Sequence, residues 1–249
     1  MSKLEGKIAV VTGASKGIGA SIAKHLAAEG AAVVVNYSSD KAGAERVASS
    51  IVNNGGKALV VQANVAIKAD VERLFAETEK AFGRLDILVN NAAIIEFRPL
   101  EGITEEHFYK QFNVNLLGPI FATQSAVKHF GSDGGSIINI SSAASIGPQP
   151  GGSVYSASKG ALESITRAFA NELGPRKIRV NAISPGLVDT EGVRAAGVME
   201  SPELKYYTSL SPFGRIGQPS DIATVAVFLA SSDSAWITGE TLRVQGGVR

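Results

Sequence analysis

Residues 10–19 read VVTGASKGIG. An apolar run closes on a turn with Gly13, Gly17 and Gly19 and opens on GIGASIAKHLAAEG (17–30). There Ile18, Ile22, Ala23 and Leu26 share one helical face, and Gly30 ends the pattern. The stretch is strand, turn, helix. Glycine lets such a turn tighten and lets its backbone approach a ligand closely. The helix that follows offers unpaired N–H groups at the positive end of its dipole, which suits a pyrophosphate. The spacing is G-x-x-x-G-x-G rather than G-x-G-x-x-G. Glycine-rich turns after strands are common, so the reading depends on what surrounds this one.

Outward from the turn, Val- and Ile-rich runs alternate with helical segments. KIAVVTG, AAVVVNY, KALVVQAN, LDILVNN, SIINIS, IRVNAIS and ETLRVQ read as strands. Helical periodicity fills 41–55, 68–82, 104–130, 153–173 and 219–231. The alternation predicts a single-domain α/β fold over 1–249: a Rossmann-type, doubly wound, seven-stranded parallel sheet with helices on both faces. The strands are nearly continuous apolar runs, as strands buried on both faces are. In this setting the first strand–helix junction is where a dinucleotide binds. One long stretch, 187–217, reads as irregular and carries Met199, Leu204, Tyr206, Tyr207, Leu210 and Phe213. A substrate lid is the first reading, an oligomer contact the second.

The 249 residues fit one domain, and 45% of them are apolar. With 24 Lys and Arg against 23 Asp and Glu, no basic stripe points to nucleic acid. MSKLEGKIAVV has no apolar signal core, and no apolar run of about 18 residues occurs. Neither secretion nor a membrane span is expected, and a cytoplasmic protein is. The absence of cysteine excludes disulfides and thiol nucleophiles. His25, His107 and His129 lack metal-ligand spacing, so no metal is expected.

Strand two ends in VVVNYSSD. An enzyme choosing NAD usually carries an acidic residue here for the ribose hydroxyls. Tyr37, Ser38 and Ser39 stand there instead, and Lys16 lies in the glycine turn. A lysine and two hydroxyls can hold a 2′-phosphate, which favours NADP(H). Asp40 is close enough to keep NAD(H) open. Further on, VYSASKG (154–160) places Tyr155 four residues before Lys159, one turn apart on one helix face. By itself that is a helix start with two surface-reaching side chains. Alternatively it is a proton donor and the cation that tunes it.

TGASKGIG, NNAA (90–93), NVN (113–115), ISS (140–142), YSASK and SPGLVDT (184–190) occur in that order. Together they make the chain resemble the short-chain dehydrogenases/reductases along essentially its whole length. It is similar to 3-oxoacyl-carrier-protein reductases, bacterial glucose dehydrogenases and ketoreductases of small carbonyl compounds. The resemblance implies that Tyr155 is the acid in reduction and the base in oxidation. It implies that Lys159 also holds the nicotinamide ribose, that Ser142 bonds the substrate carbonyl oxygen, and that Asn115 supports a proton-relay water. An ammonium at ~5 Å and an effective dielectric of ~20 is worth roughly 3 kcal/mol, enough to bring a phenol into working range.

By the same resemblance, Gly13, Ser15, Lys16, Gly17, Ile18 and Gly19 cradle the cofactor phosphates. Asn64 and Val65 flank the adenine, Asn64 standing for the more usual Asp but keeping an acceptor oxygen. Asn90 and Ala92 lie under the adenosine ribose, and Ala93 replaces a typical glycine. Pro185, Gly186, Val188 and Thr190 meet the nicotinamide amide and the phosphates. A homotetramer is implied.

The pocket should be lined by loops near 94–97, 143–152 and 187–212, mostly apolar through Ala143, Ala144, Ile146, Val188 and Met199, with Glu96 and Gln149 as polar exceptions. Such walls suit a ketone with hydrophobic substituents, a small-molecule substrate, better than a sugar. A general carbonyl reductase ranks first, a carrier-protein reductase second and a glucose dehydrogenase third. Arg176 is a candidate contact for an acidic carrier, and Asp133 argues against one. A non-catalytic dinucleotide sensor on the same fold is the alternative from another class.

Overall fold

The computed structural model of the protein describes residues 2–195, 197–200 and 202–248. Seven strands form one sheet in the order β3-β2-β1-β4-β5-β6-β7. They are β1 Ile8–Val11, β2 Ala32–Tyr37, β3 Lys57–Gln62, β4 Ile87–Asn90, β5 Gly135–Ile140, β6 Ile178–Pro185 and β7 Thr241–Val244. Every pairing is parallel, as in Val10 opposite Val34 on one side and Leu88 on the other. The helices are α1 Gly17–Ala28, α2 Lys41–Asn53, α3 Lys68–Phe82, α4 Glu105–Phe112, α5 Gly118–His129, α6 Ser153–Leu173, α7 Glu191–Ala195, α8 Pro202–Leu210 and α9 Pro219–Ala230.

Successive strand side chains point to opposite faces, and this splits the core in two. Ala9, Val11, Val33 and Val35 pack with Ile22, Leu26, Val47 and Ile222 of α1, α2 and α9. Ile8, Val10 and Val34 pack on the other face with Leu74 and Phe75 of α3 and Ala122 and Ala126 of α5. The strand order reverses beside β1, which is flanked by β2 and β4. The glycine turn therefore opens at the switch point, outside the carboxyl ends of the strands.

Two segments differ from the sequence-based expectation. The helical region 104–130 is not one regular helix: a π-helical turn, Asn113–Leu117, joins α4 to α5. The 187–217 stretch is partly helical, holding α7, a 3-10 turn at Val198–Glu200 and α8. These pieces are too short and too exposed to give a clear apolar period, although Pro202 at the head of α8 is a helix-start signal. The segment is pinched at its base, where Val188 bridges Gly217 and the Gly217 amide donates to Leu187 O at 2.9 Å.

Arg176 and Asp133 lie just before β6 and β5, at the amino ends of the strands. Within one copy of the chain they are on the edge opposite the crevice, so neither marks its entrance. Arg176 donates to Val127 O. No described helix is long and apolar enough to cross a membrane, and no metal-binding cluster occurs among the described residues.

Candidate active site

The turn after β1 is held open from below. Gly13 (φ +61°) and Gly17 (φ +58°) sit in the left-handed region that favours glycine. A Cβ on Gly13 would come within 2.8 Å of Ala92 Cα, and one on Gly19 within 2.4 Å of Asn91 Nδ2. Asn91 Nδ2 donates to the carbonyls of Thr12 and Gly13, both at 2.9 Å. Asn36 Oδ1 accepts from Gly13 N at 3.2 Å, while its Nδ2 reaches the Val61 and Ala63 carbonyls. These two asparagines fix the cradle without being part of its rim. Sequence reading passed over both, although NNAA drew attention to the neighbours of Asn91.

The cradle accepts an anion. Gly17 N–H, at the head of α1, donates to the carboxylate Oε2 of Glu191 at 2.9 Å. A phosphate oxygen is the same kind of acceptor, so these residues fit a dinucleotide. Lys16 is exposed beside them, as are Ser38 and Ser39 beyond β2. Tyr37 ends β2, half-buried against the core. Asp40 caps α2 by accepting from Gly43 N at 2.9 Å, so its carboxylate is committed to the helix.

Two of the residues expected near the cofactor have side chains engaged within the fold. Asn64 keeps an acceptor oxygen, but Ala66 N–H already donates to it at 3.1 Å in a local Asx turn. Asn90 turns its side chain inward: it is buried and donates to Asn139 Oδ1 at 2.8 Å, and Asn139 donates on to Thr166 of α6. Its side chain is sheet-to-helix mortar, because a polar group on a strand buried on both faces must find a partner. Val65 is buried, and Gly118 lets α5 close on it, since a Cβ there would meet Val65 Cγ2 at 2.8 Å. Ala93 is exposed, so its methyl is accommodated.

Pro185 ends β6, and Gly186 just after it closes on Gln245, whose Cα a Cβ would approach to 3.2 Å. Val188 is buried, and the methyl of Thr190 faces Gly17. Glu96, a polar exception on the loop after β4, is ion-paired with Lys110.

Asn115, Ser142, Tyr155 and Lys159 come together where β4, β5 and α6 meet. Asn115 is fully buried in the π-helical turn. Its Oδ1 accepts from Ile94 N at 2.9 Å, and its Nδ2 donates to Ile94 O at 2.9 Å and to Ser158 Oγ at 3.1 Å. Both amide hydrogens are committed, so the side chain ties the loop after β4 to α6. Ser158, which the sequence reading left out, passes that tie on to Tyr155 O at 2.7 Å. Ser142 caps the 3-10 turn Ala143–Ser145, its Oγ accepting from Ala144 N at 3.2 Å.

Lys159 is 3% exposed and donates from Nζ to Ile140 O at 2.8 Å. Its Nζ lies 5.8 Å from the centroid of the Tyr155 ring. Burial lowers the ammonium from 10.5 to about 8, with the Glu163 carboxylate opposing. Burial also pushes the Tyr155 phenol above its ordinary value, against the pull of the Ser142 hydroxyl. This reverses the expected direction: Lys159 does not outweigh the desolvation of a phenol enclosed at this depth. The arrangement holds a weak acid beside a hydrogen-bonding hydroxyl and a buried cation, next to an anion cradle.

The family model described as enoyl-(acyl carrier protein) reductase matches residues 13–249. An uncharacterised oxidoreductase of Methylorubrum extorquens is 55% identical over 249 residues, covering 100% of both chains. The chain belongs to the short-chain dehydrogenase/reductase family. Versicolorin reductase 1 of Aspergillus parasiticus, at 39% identity over 98% of this chain and 97% of its own, is another relative of this short-chain reductase. Among solved structures, the angucycline C-6 ketoreductase LanV with bound NADP superposes with a TM-score of 0.92 at 40% identity, over 99% of this chain and 97% of that one. The protein is an oxidoreductase of that family.

Proposed function

We propose that this short-chain reductase converts a ketone with apolar substituents to a secondary alcohol, preferring NADPH. The observation that carries the reading is the meeting of Ser142, Tyr155 and Lys159 beside the Gly13–Gly19 cradle. When bound, the reduced nicotinamide supplies the hydride that adds to the carbonyl carbon. The chain supplies the rest. Ser142 Oγ orients the carbonyl oxygen, and Tyr155 Oη delivers a proton to it as charge builds there. A phenol held above its usual range is protonated at neutral pH, which is the form reduction needs. Solvent then restores the phenol proton, so one hydride and one proton have added across C=O.

Amides of the glycine turn hold the pyrophosphate, and Lys159 takes the nicotinamide ribose as well as supporting Tyr155. Lys16, Ser38 and Ser39 are exposed and would hold a 2′-phosphate, while Asp40 engages one carboxylate oxygen in the cap of α2. NADP in the LanV structure points the same way. The substrate class is supported by the mouth. Ile95, Phe97 and Ile146 are each more than half exposed on loops that follow β4 and β5, and Tyr206 and Phe213 are so on the segment after β6. That segment, 187–217, is the lid. Relatives named as reductases of versicolorin and of an angucycline fit the same preference. Exposed Tyr109 on α4 and Trp236 before β7 are apolar surface that a homotetramer would cover.

The test is absorbance at 340 nm with NADPH and NADH side by side, against an aryl ketone, a β-ketoester, a 3-oxoacyl thioester and, oxidatively, glucose. Ketone-dependent oxidation of NADPH in preference to NADH is expected. Turnover confined to the thioester or to glucose refutes the substrate class, and tight cofactor binding with no turnover at all points to a sensor.

A further inference from the structure

Glu163 stands one helical turn beyond Lys159 and two beyond Tyr155, so all three lie along one side of α6. Its Oε1 accepts from Ser141 Oγ at 2.6 Å and from Ser145 Oγ at 2.7 Å. Those serines bracket Ser142. Ser141 follows the last residue of β5, and Ser145 closes the 3-10 turn that Ser142 caps. One carboxylate oxygen thus staples both ends of the Ser142 turn to the helix that carries Tyr155. Hydroxyl-to-carboxylate bonds of this length are of the strong kind. Lys159 adds a third grip on the same segment through Ile140 O.

The second observation is charge. Lys159 is enclosed, and Glu163 is the charged group that acts on it. From β5 it meets the Ile140 carbonyl, and Ser141 lies alongside with its Oγ 3.4 Å from Lys159 O. From the π-helical turn Asn115 faces Ser158, a neutral pair. From α6 itself the other titratable neighbour is Tyr155, a neutral phenol.

We propose that Glu163 is a positioning residue of this site: it sets the Ser142 turn against Tyr155 and provides the counter-charge to the Lys159 ammonium. The inference rests on the reading of Tyr155 and Lys159 as the reducing pair. Sequence reading offers only a weak hint, a carboxylate four residues from a lysine, which is ordinarily a solvated surface pair.

Two measurements test it, one independent of turnover. In protein with isotopically labelled lysine, the Lys159 resonance is identified by its loss in K159M and titrated by NMR in wild type and E163Q. Glutamine keeps an acceptor oxygen and loses the charge, so the fold and NADPH binding should persist. The Lys159 midpoint should fall by at least about half a pH unit. In the ketone assay E163A should lose about tenfold or more in kcat with KM for NADPH within about twofold, and E163D should recover part of the loss. An unmoved midpoint in E163Q overturns the proposal, as does wild-type kcat in E163A. If wild type reduces no ketone, the functional reading has failed, and the E163Q midpoint alone decides the role of Glu163.

Discussion

Replacing Lys159 by methionine should change how stability depends on pH, by an amount the structure sets. The ammonium is 3% exposed, and burial lowers it from 10.5 to about 8. Below pH 8 the amine is protonated in both the folded and the unfolded chain, and the full penalty of enclosing the charge is present. Between about 8 and 10.5 the folded state releases its proton while the unfolded state keeps it, so the penalty fades as pH rises. The whole gap corresponds to about 3 kcal/mol. Methionine removes that penalty. It also leaves Ile140 O without its donor, which costs about 1–3 kcal/mol at every pH. The sign of the net change at pH 7 is therefore a close balance, but its slope is not. The stability of K159M relative to wild type should decline by about 1.3 kcal/mol between pH 7 and pH 9. Urea unfolding followed by circular dichroism at pH 7, 8 and 9 reads this directly, because groups titrating elsewhere cancel between the two proteins. Parallel stability profiles would show that the amine keeps its ordinary affinity for protons in the fold, and the electrostatic account of the site would go with it.

Tyr155→Phe should leave NADPH affinity within about twofold by fluorescence titration and lower kcat by at least ~10², the contribution of a placed general acid; near-normal turnover would refute the assignment. Glu191→Ala removes the carboxylate on Gly17 N–H, so NADPH should bind about three- to tenfold more tightly at low salt, whereas weaker binding would mean that Glu191 supports the cofactor. Gly13→Ala forces a side chain into φ +61° and against Ala92 Cα, and should cost about 2–4 kcal/mol, a drop of roughly 5–10 °C in Tm by calorimetry. An unchanged Tm would mean that the turn can reshape around a methyl group.

The sheet was legible because its signals are local and repeated. Ile8–Val11 is apolar throughout, as a strand covered on both faces must be, and Gly13 and Gly17 mark a turn few other residues can make. The Tyr155–Lys159 pair was legible because four residues on a helix is a spatial statement. What was hidden is long-range. Asn64 and Asn90 have the right identities, but residue identity does not tell whether a side-chain amide faces a crevice or a neighbouring backbone. Asn36 and Asn91 act through partners more than twenty residues away. The direction of the Tyr155 shift depended on depth of burial, which spacing does not report. α7 and α8 escaped notice because short exposed helices carry little apolar period.

The π-helical turn at Asn113–Leu117 carries one residue more than an α-helical path between the same ends requires. Each α-helical residue advances the chain by about 100°. Losing Val114 would let the stretch close into a regular α-helix between those ends, with α4 and α5 left in phase and the residues between them moved around the axis. With α5 held in the core by Ala122 and Ala126, the adjustment falls on the turn itself, and Asn115 moves away from Ile94 and Ser158. A three-nucleotide deletion in the gene could thus dismantle the site while every one of its named side chains remained encoded. In this protein the length of that helix has to be inherited as faithfully as the letters it displays.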